Sequence, residues 1–255
     1  MTESESPLVQ QFNAECCPTT CAGETVLLHP GKALFVPRTR ALLVADVHLG
    51  KEYAFSRAGH AIPSGPSDAD IQRLGKLVDA SGAVHLHILG DLIHTTPDHR
   101  EPWLHSLSRF LDHRPDLSVN VVAGNHDKHD AWALIDSRIN WHPKTLLHGP
   151  FVLQHEPGND NRGHVLCGHI HPCYRLQTGR NDSIRAPVFW LGKNHSVLPS
   201  FGQFTGGHNV HPESDDLLFM VGPDCVVPLP AKNARLNSTV VSATDAIVSG
   251  IADYP

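Results

Sequence analysis

Residues 84–89 read as a short buried strand that stops abruptly at Gly90-Asp91. A carboxylate at the end of such a strand is costly to bury without a partner. It is well placed to hold a cation at the rim of a sheet, where open α/β folds bind their ligands. Four further segments run strand-like into polar groups of the same kind: Asp46-Val47-His48, Asn125-His126-Asp127, His155 and His169-Ile170-His171. A fold that satisfies all five must gather strand ends at one edge. Asp91 is read as the residue that two metal ions share.

Between these ends strand and helix patterns alternate. Residues 41–45 form the first fully buried strand. Residues 67–80 have a helical cast, with Ser67 or Asp68 as cap and Ile71, Leu74, Leu77 and Val78 on one face. After strand 84–89, Trp103, Leu107, Phe110 and Leu111 recur at helical spacing, and residues 119–123 form the third buried strand. This alternation predicts an α/β sheet with parallel pairs. Residues 26–28 and 33–36 add two short strands, and residues 51–66 read as a loop over the site. Beyond Asp130 the chain turns β-rich: a hairpin over 145–154 presents His155, strand 165–167 presents His169 and His171, and strand-length pieces continue to Val227. Two facing sheets with helices outside, in one domain, are expected over residues 23–230. Residues 1–22 are expected to be a loosely held leader, and residues 231–255 a tail that is either weak helix or disordered.

Histidine is the compositional outlier, with 20 copies in 255 residues, and imidazole is the commonest metal ligand. The net charge of −6 argues against a strongly basic nucleic-acid-binding domain. It does not exclude nucleic acid as substrate, because bound divalent cations offset local negative charge. Cys16, Cys17 and Cys21 lack a second half at zinc-finger spacing. No signal peptide and no run of membrane-spanning length is visible, so reduced thiols in a cytoplasmic protein are expected. Cys167 and Cys173 read as small buried or partly buried thiols.

Asp46, His48, Asp91, Asn125, His155, His169 and His171 offer oxygen and imidazole ligands for two divalent ions, with manganese favoured and iron, zinc or magnesium possible. Two-metal hydrolases hold their ions about 3.5–4 Å apart and need a bridging carboxylate. The bland readings are a turn or cap aspartate at Asp91 and a turn residue at Asn125. His169 and His171, alternating in an extended segment, would place both rings on one side of a strand. Lys51, Arg57 and Lys128 are either solvated charges or phosphate contacts. Gly202, Gly206 and Gly207 are either turn glycines or part of a loop that lines a cleft with Phe201, Phe204 and His208.

The ordered set Asp46-Val47-His48, Gly90-Asp91, Gly124-Asn125-His126-Asp127, His155 and Gly168-His169-Ile170-His171 resembles the signature of the calcineurin-like metallophosphoesterases. With Leu49-Gly50-Lys51, Phe55, Arg57, Gly59, His155-Glu156-Pro157 and the stretch from Leu198-Pro199-Ser200-Phe201 to Gly206-Gly207, the resemblance narrows to bacterial ligase-associated DNA damage response phosphoesterases and endonucleases. It covers about residues 23–228. It implies a four-layer α-β-β-α sandwich in which Asp46, His48 and His171 hold one metal, Asn125, His155 and His169 the other, and Asp91 bridges. His126 would stand beside the scissile phosphate as catalytic residue, with Asp127 orienting its ring. The implied activity is phosphodiester hydrolysis by a metal-bridging hydroxide, on single-stranded or damaged DNA, in a repair setting linked to a DNA ligase and a helicase. A small-molecule phosphatase or cyclic-nucleotide phosphodiesterase shares the same ligands, and a non-catalytic scaffold of the same fold would be expected to lack His126.

Overall fold

The computed structural model describes residues 6–177 and 182–230. The expected tail over 231–255 lies outside the described residues. The leader expected to be loose is, over residues 7–21, helix α1 (Pro7–Glu15) followed by strand β1 (Cys17–Cys21). Ser6 caps α1 by accepting from the Val9 amide, and Pro7 opens the first turn. Phe12 anchors the helix, stacked on His29 at 4.7 Å and edge-on to Phe35. One buried ring leaves no periodic signature in sequence, which is why the segment read as loose.

β1 joins β2 (Glu24–His29), β3 (Ala33–Val36), β4 (Ala41–Val44), β5 (His85–Leu89), β6 (Ser118–Val122) and β7 (Ile139–His142) in a seven-stranded sheet in that order. Its first four strands pair antiparallel. From β4 to β7 the strands run parallel, because helical crossovers separate them. Residues 51–66, read as loop, begin with helix α2 (Lys51–Arg57). Its start carries no side-chain cap, only Gly50 in the left-handed region (φ 79°), so no capping signal marked it. Helix α3 (Pro66–Ser81) and helix α4 (Pro102–Asp112) are the crossovers, and a short α5 (His129–Trp132) follows β6. Ser67 sits in the first turn of α3, where its hydroxyl and amide both donate to buried Glu52.

The second sheet is built from β8 (Leu146–His148), β9 (Phe151–Leu153), β10 (His164–Cys167), β11 (Pro172–Gln177), β12 (Ser183–Leu191), β13 (His195–Val197), β14 (His208–Asn209), β15 (Leu217–Val221) and β16 (Val226–Pro228). β8 and β9 form the expected hairpin, and β9, β10 and β13 run parallel. Side-chain alternation then builds two cores. One face of β4, β5 and β6 (Leu42, Val44, Leu86, Ile88, Val119, Val121) packs on Ile71, Leu74, Trp103 and Phe110 of the helices. The other face (Leu43, Leu89, Val122) packs against Phe151, Leu153, Leu166 and Phe189 of the second sheet. The molecule is thus two facing mixed sheets with flanking helices in a single α/β domain. No helix follows α5 among the described residues. Among them, too, no helix is long and apolar enough to cross a membrane.

Candidate metal centre and its cleft

Parallel strands in both sheets end at the same rim, so the polar residue after each one arrives at a common point. Asp46 follows β4, Asp91 follows β5, Asn125 follows β6, His155 follows β9, and His169 and His171 follow β10. A backbone link joins the two rims: the Phe201 amide donates to the Ala45 carbonyl at 2.7 Å. Among the described residues, eight non-glycine residues have positive φ, and Asp46, His48, Asp91, His169 and His171 are five of them. Left-handed backbone costs an L-residue about 1–2 kcal/mol, and such strain clusters at functional sites. His169 (φ 70°) and His171 (φ 51°) are therefore not alternate residues of an extended segment. They lie in a tight turn in which the Ile170 amide donates to the Gly168 carbonyl.

Three glycines clear the space these side chains occupy. A Cβ on Gly90 would strike the His155 ring, one on Gly168 would lie 2.5 Å from Asp46 Oδ2, and one on Gly124 would lie 2.5 Å from the Asp91 amide nitrogen. Gly90 also sits at φ 83°.

All seven expected ligands are brought together. Asp46 Oδ1 lies 3.5 Å from His171 Nε2 and 3.8 Å from His155 Nδ1. Asp91 Oδ2 lies 3.7 Å from His48 Nε2 and 3.5 Å from His155 Nε2. Asn125 Oδ1 and His169 Nδ1 stand 3.0 and 3.1 Å from His155 Nε2, and His48 Nε2 stands 3.4 Å from His171 Nε2. Two rings are aimed by the backbone: His155 Nδ1 donates to the Leu89 carbonyl and His171 Nδ1 to that of Gly206. Each then turns Nε2 toward the centre, the arrangement by which a second hydrogen bond orients a metal-binding imidazole. Burial, helped by Lys51 and neighbouring imidazoles, holds His48 down to about 2, a neutral donor. Burial pushes the Asp91 carboxyl upward.

His126 stands at the edge of this group, its ring edge-on to His48 at 5.1 Å. Its Nδ1 donates to the His94 carbonyl at 2.8 Å, and its amide donates to Asp91 Oδ1. Asp127, expected to orient the His126 ring, does something else. Its carboxylate accepts from the amides of Leu92, Ile93 and Gly124, tying the turn after β5 to the turn after β6. Burial raises this carboxyl to about 6, with the three amides opposing the shift. Asp127 is a positioning residue, and backbone orients His126.

His94 is a member of the site that motif reading passed over. Its ring stacks on His126 at 4.7 Å, and its Nδ1 lies 3.4 Å from His48 Nδ1. Burial, then His126, lowers it to about 4. The available signal was its place at the end of the same strand-and-turn stretch as Asp91. His94, Thr95, Thr96, Asn125 and His126 line a cleft of about 560 Å³ with Arg57 and Lys128 on its wall. Arg57 is shared there with Glu101 and Thr95. Lys51 lies outside that cleft, 6.0 Å from the Phe204 ring.

The glycine-rich loop after β13 divides its expected members. Phe201 is fully buried under the Arg73 guanidinium, which lies 3.6 Å from its ring. Phe204 is 38% exposed and edge-on to Phe55. Gly206 and Gly207 do line a second, smaller cleft beside His171. Ser200 fixes the rim by donating to the Asp46 carbonyl at 2.9 Å. Cys167 and Cys173 are buried free thiols.

The residues present suit divalent cations. Asp46 and Asp91 are 0% and 2% exposed, and their only ion-pair neighbours among the described residues are histidines. Two buried carboxylates facing one another's imidazole partners, with no Lys or Arg ion pair among the described residues, are a setting that positive charge stabilises. Asp46, His48 and His171 place donor atoms within 4.8 Å of one another, as do Asp46, Asp91 and His155. Carboxylate and imidazole together match manganese, iron or zinc.

Fold and site together define a metallophosphoesterase-type sandwich with a buried Asp/His cluster fit for metal at its rim. No family model matches the chain, and no curated protein matches it. A solved structure does: nuclease MPE of Pseudomonas putida is 33% identical, over 84% of this chain and 100% of that one, with a TM-score of 0.71. The chain belongs to the family of that nuclease.

Proposed function

We propose that this protein is a metal-dependent hydrolase of phosphodiester bonds, with nucleic acid as its substrate. The observation that supports this best is the convergence of seven ligand-type side chains beside His126, in a chain one-third identical to a nuclease along that nuclease's whole length. Asp46, His48 and His171 hold one cation, Asn125, His155 and His169 the second, and Asp91 is shared. Manganese suits this donor set, with iron, zinc or magnesium as the other ions it accepts. When bound, the cations supply Lewis acidity and a water of lowered pKa.

The chain's own groups supply the rest. His126 has Nδ1–H committed to the His94 carbonyl, so Nε2 faces the cleft. From there it delivers a proton to the leaving oxygen or stabilises its charge. The His94 ring, stacked on His126, limits its rotation. Lys128 and Arg57 on the cleft wall attract the phosphate. A setting in cytoplasmic DNA repair, beside a ligase and a helicase, belongs to the same proposal and rests on the motif resemblance alone.

A substrate panel with added manganese tests the reading: single-stranded and duplex DNA, a cyclic nucleotide, a phosphomonoester and bis(p-nitrophenyl) phosphate. DNA cleavage that is abolished by chelation is expected. Turnover of cyclic nucleotide or monoester without DNA cleavage would overturn the nuclease assignment, and no turnover of any substrate would overturn hydrolysis itself.

A further inference from the structure

The second cleft, about 200 Å³ in volume, opens beside His171 and is bounded by Lys32, Cys173, Arg185, Ser200, Gly206 and Gly207. Its charge is unusual for this chain. The protein carries 26 acidic against 20 Lys and Arg side chains, and most described arginines meet a carboxylate, as Arg38, Arg73, Arg114 and Arg138 do. Lys32 and Arg185 have no ion pair among the described residues. Asp70, the acidic group that acts on Lys32, is already held by Arg73 and the Gln203 amide. Burial favours loss of the Lys32 proton, which an incoming anion would oppose.

Arg185 spends Nε on Asn209 Oδ1 and Nη2 on the Gly207 carbonyl. Those bonds fix its guanidinium and leave Nη1 without a described partner. Register adds a second observation. Arg175 of β11 stands directly opposite Arg185 of β12, two pairs outward from Cys173–Pro187, which lines the cleft. Directly opposed like charges destabilise a sheet, and an anion lying over both would offset that cost. Among the described residues Arg175 donates to Ser183 Oγ, at 2.9 Å.

We propose that this cleft is a phosphate subsite for an extended strand: Lys32 and Arg185 hold the phosphate of the nucleotide next to the scissile bond, and Arg175 carries the backbone onward along the sheet. The inference rests on the nuclease reading above and narrows it to polynucleotide substrates. A mononucleotide or a simple diester has no second backbone phosphate to place there.

The test compares Lys32→Gln, Arg185→Gln and the double variant with the unaltered protein on a single-stranded DNA oligonucleotide and on bis(p-nitrophenyl) phosphate. Removing either charged hydrogen-bond donor is expected to lower kcat/KM on the oligonucleotide about tenfold, with the simple diester unchanged. Arg185→Lys, which keeps the charge, should recover most of that activity. Oligonucleotide binding measured by anisotropy in EDTA gives a readout free of turnover. In the double variant, with two phosphate-binding charges gone, the slope of log affinity against log salt should flatten by about 1.4. Equal losses on both substrates, an unchanged salt slope, or equally tight binding of a nucleoside diphosphate would overturn the subsite. Failure of the unaltered protein to cleave DNA would instead overturn the nuclease reading, while the binding arm still decides the subsite.

Discussion

His87 offers a sharp test of how burial sets the pH behaviour of this fold. It lies in β5, opposite Leu43 of β4 and Asn120 of β6, and faces the core between the sheets. It is 3% exposed, neither ring nitrogen has a hydrogen-bond partner among the described residues, and the His148 ring is 4.6 Å away. Burial, then the neighbouring His148, His85 and His142, lowers its pKa from 6.5 to about 3. Between those limits the unfolded chain binds a proton that the folded chain does not. Stability from this group is therefore full above pH 6.5 and is lost as pH falls toward 3. At pH 5 the folded imidazole is still neutral, and the unfolded one gains about 1.5 pK units of binding, or about 2 kcal/mol. His87→Leu should therefore be about 2 kcal/mol more favourable, relative to the unaltered protein, at pH 5 than at pH 8. Urea unfolding of both proteins at the two pH values, in EDTA, measures this difference directly. A difference under about 0.5 kcal/mol would refute the claim that burial keeps His87 neutral.

Two further outcomes follow from the centre itself. Gly124→Ala places a Cβ 2.5 Å from the Asp91 amide nitrogen and into its carboxylate. Manganese binding by calorimetry should weaken at least about tenfold, the usual effect of disturbing the groups that orient a ligand, and unchanged affinity would show that Asp91 is not a ligand. His126→Ala should keep its metal content by elemental analysis and lose about 10²–10⁴-fold in turnover. Unaltered turnover would remove His126 from the chemistry.

The gathering of the seven candidate ligands at one rim was legible in sequence because apolar runs stop just ahead of them, and the end of a parallel strand has one place to go. The two-sheet architecture was legible for the same reason, through the switch from alternating strand and helix to short strands after Asp130. Helix α1 was not, since a single buried ring at Phe12 carries it. The left-handed turn at His169 and His171 was misread as extended, because alternation in sequence does not report φ.

What the sequence alone determined is which residues sit at strand ends, since hydrophobic periodicity is a local property of the chain. Contacts between residues far apart were decided only by the tertiary structure. The His94 carbonyl that aims His126, the Asp127 brace across two turns, and the opposed Arg175 and Arg185 beside Lys32 all depend on register and sheet packing. Pairing is set by the energy of the whole core, so no window of sequence contains it.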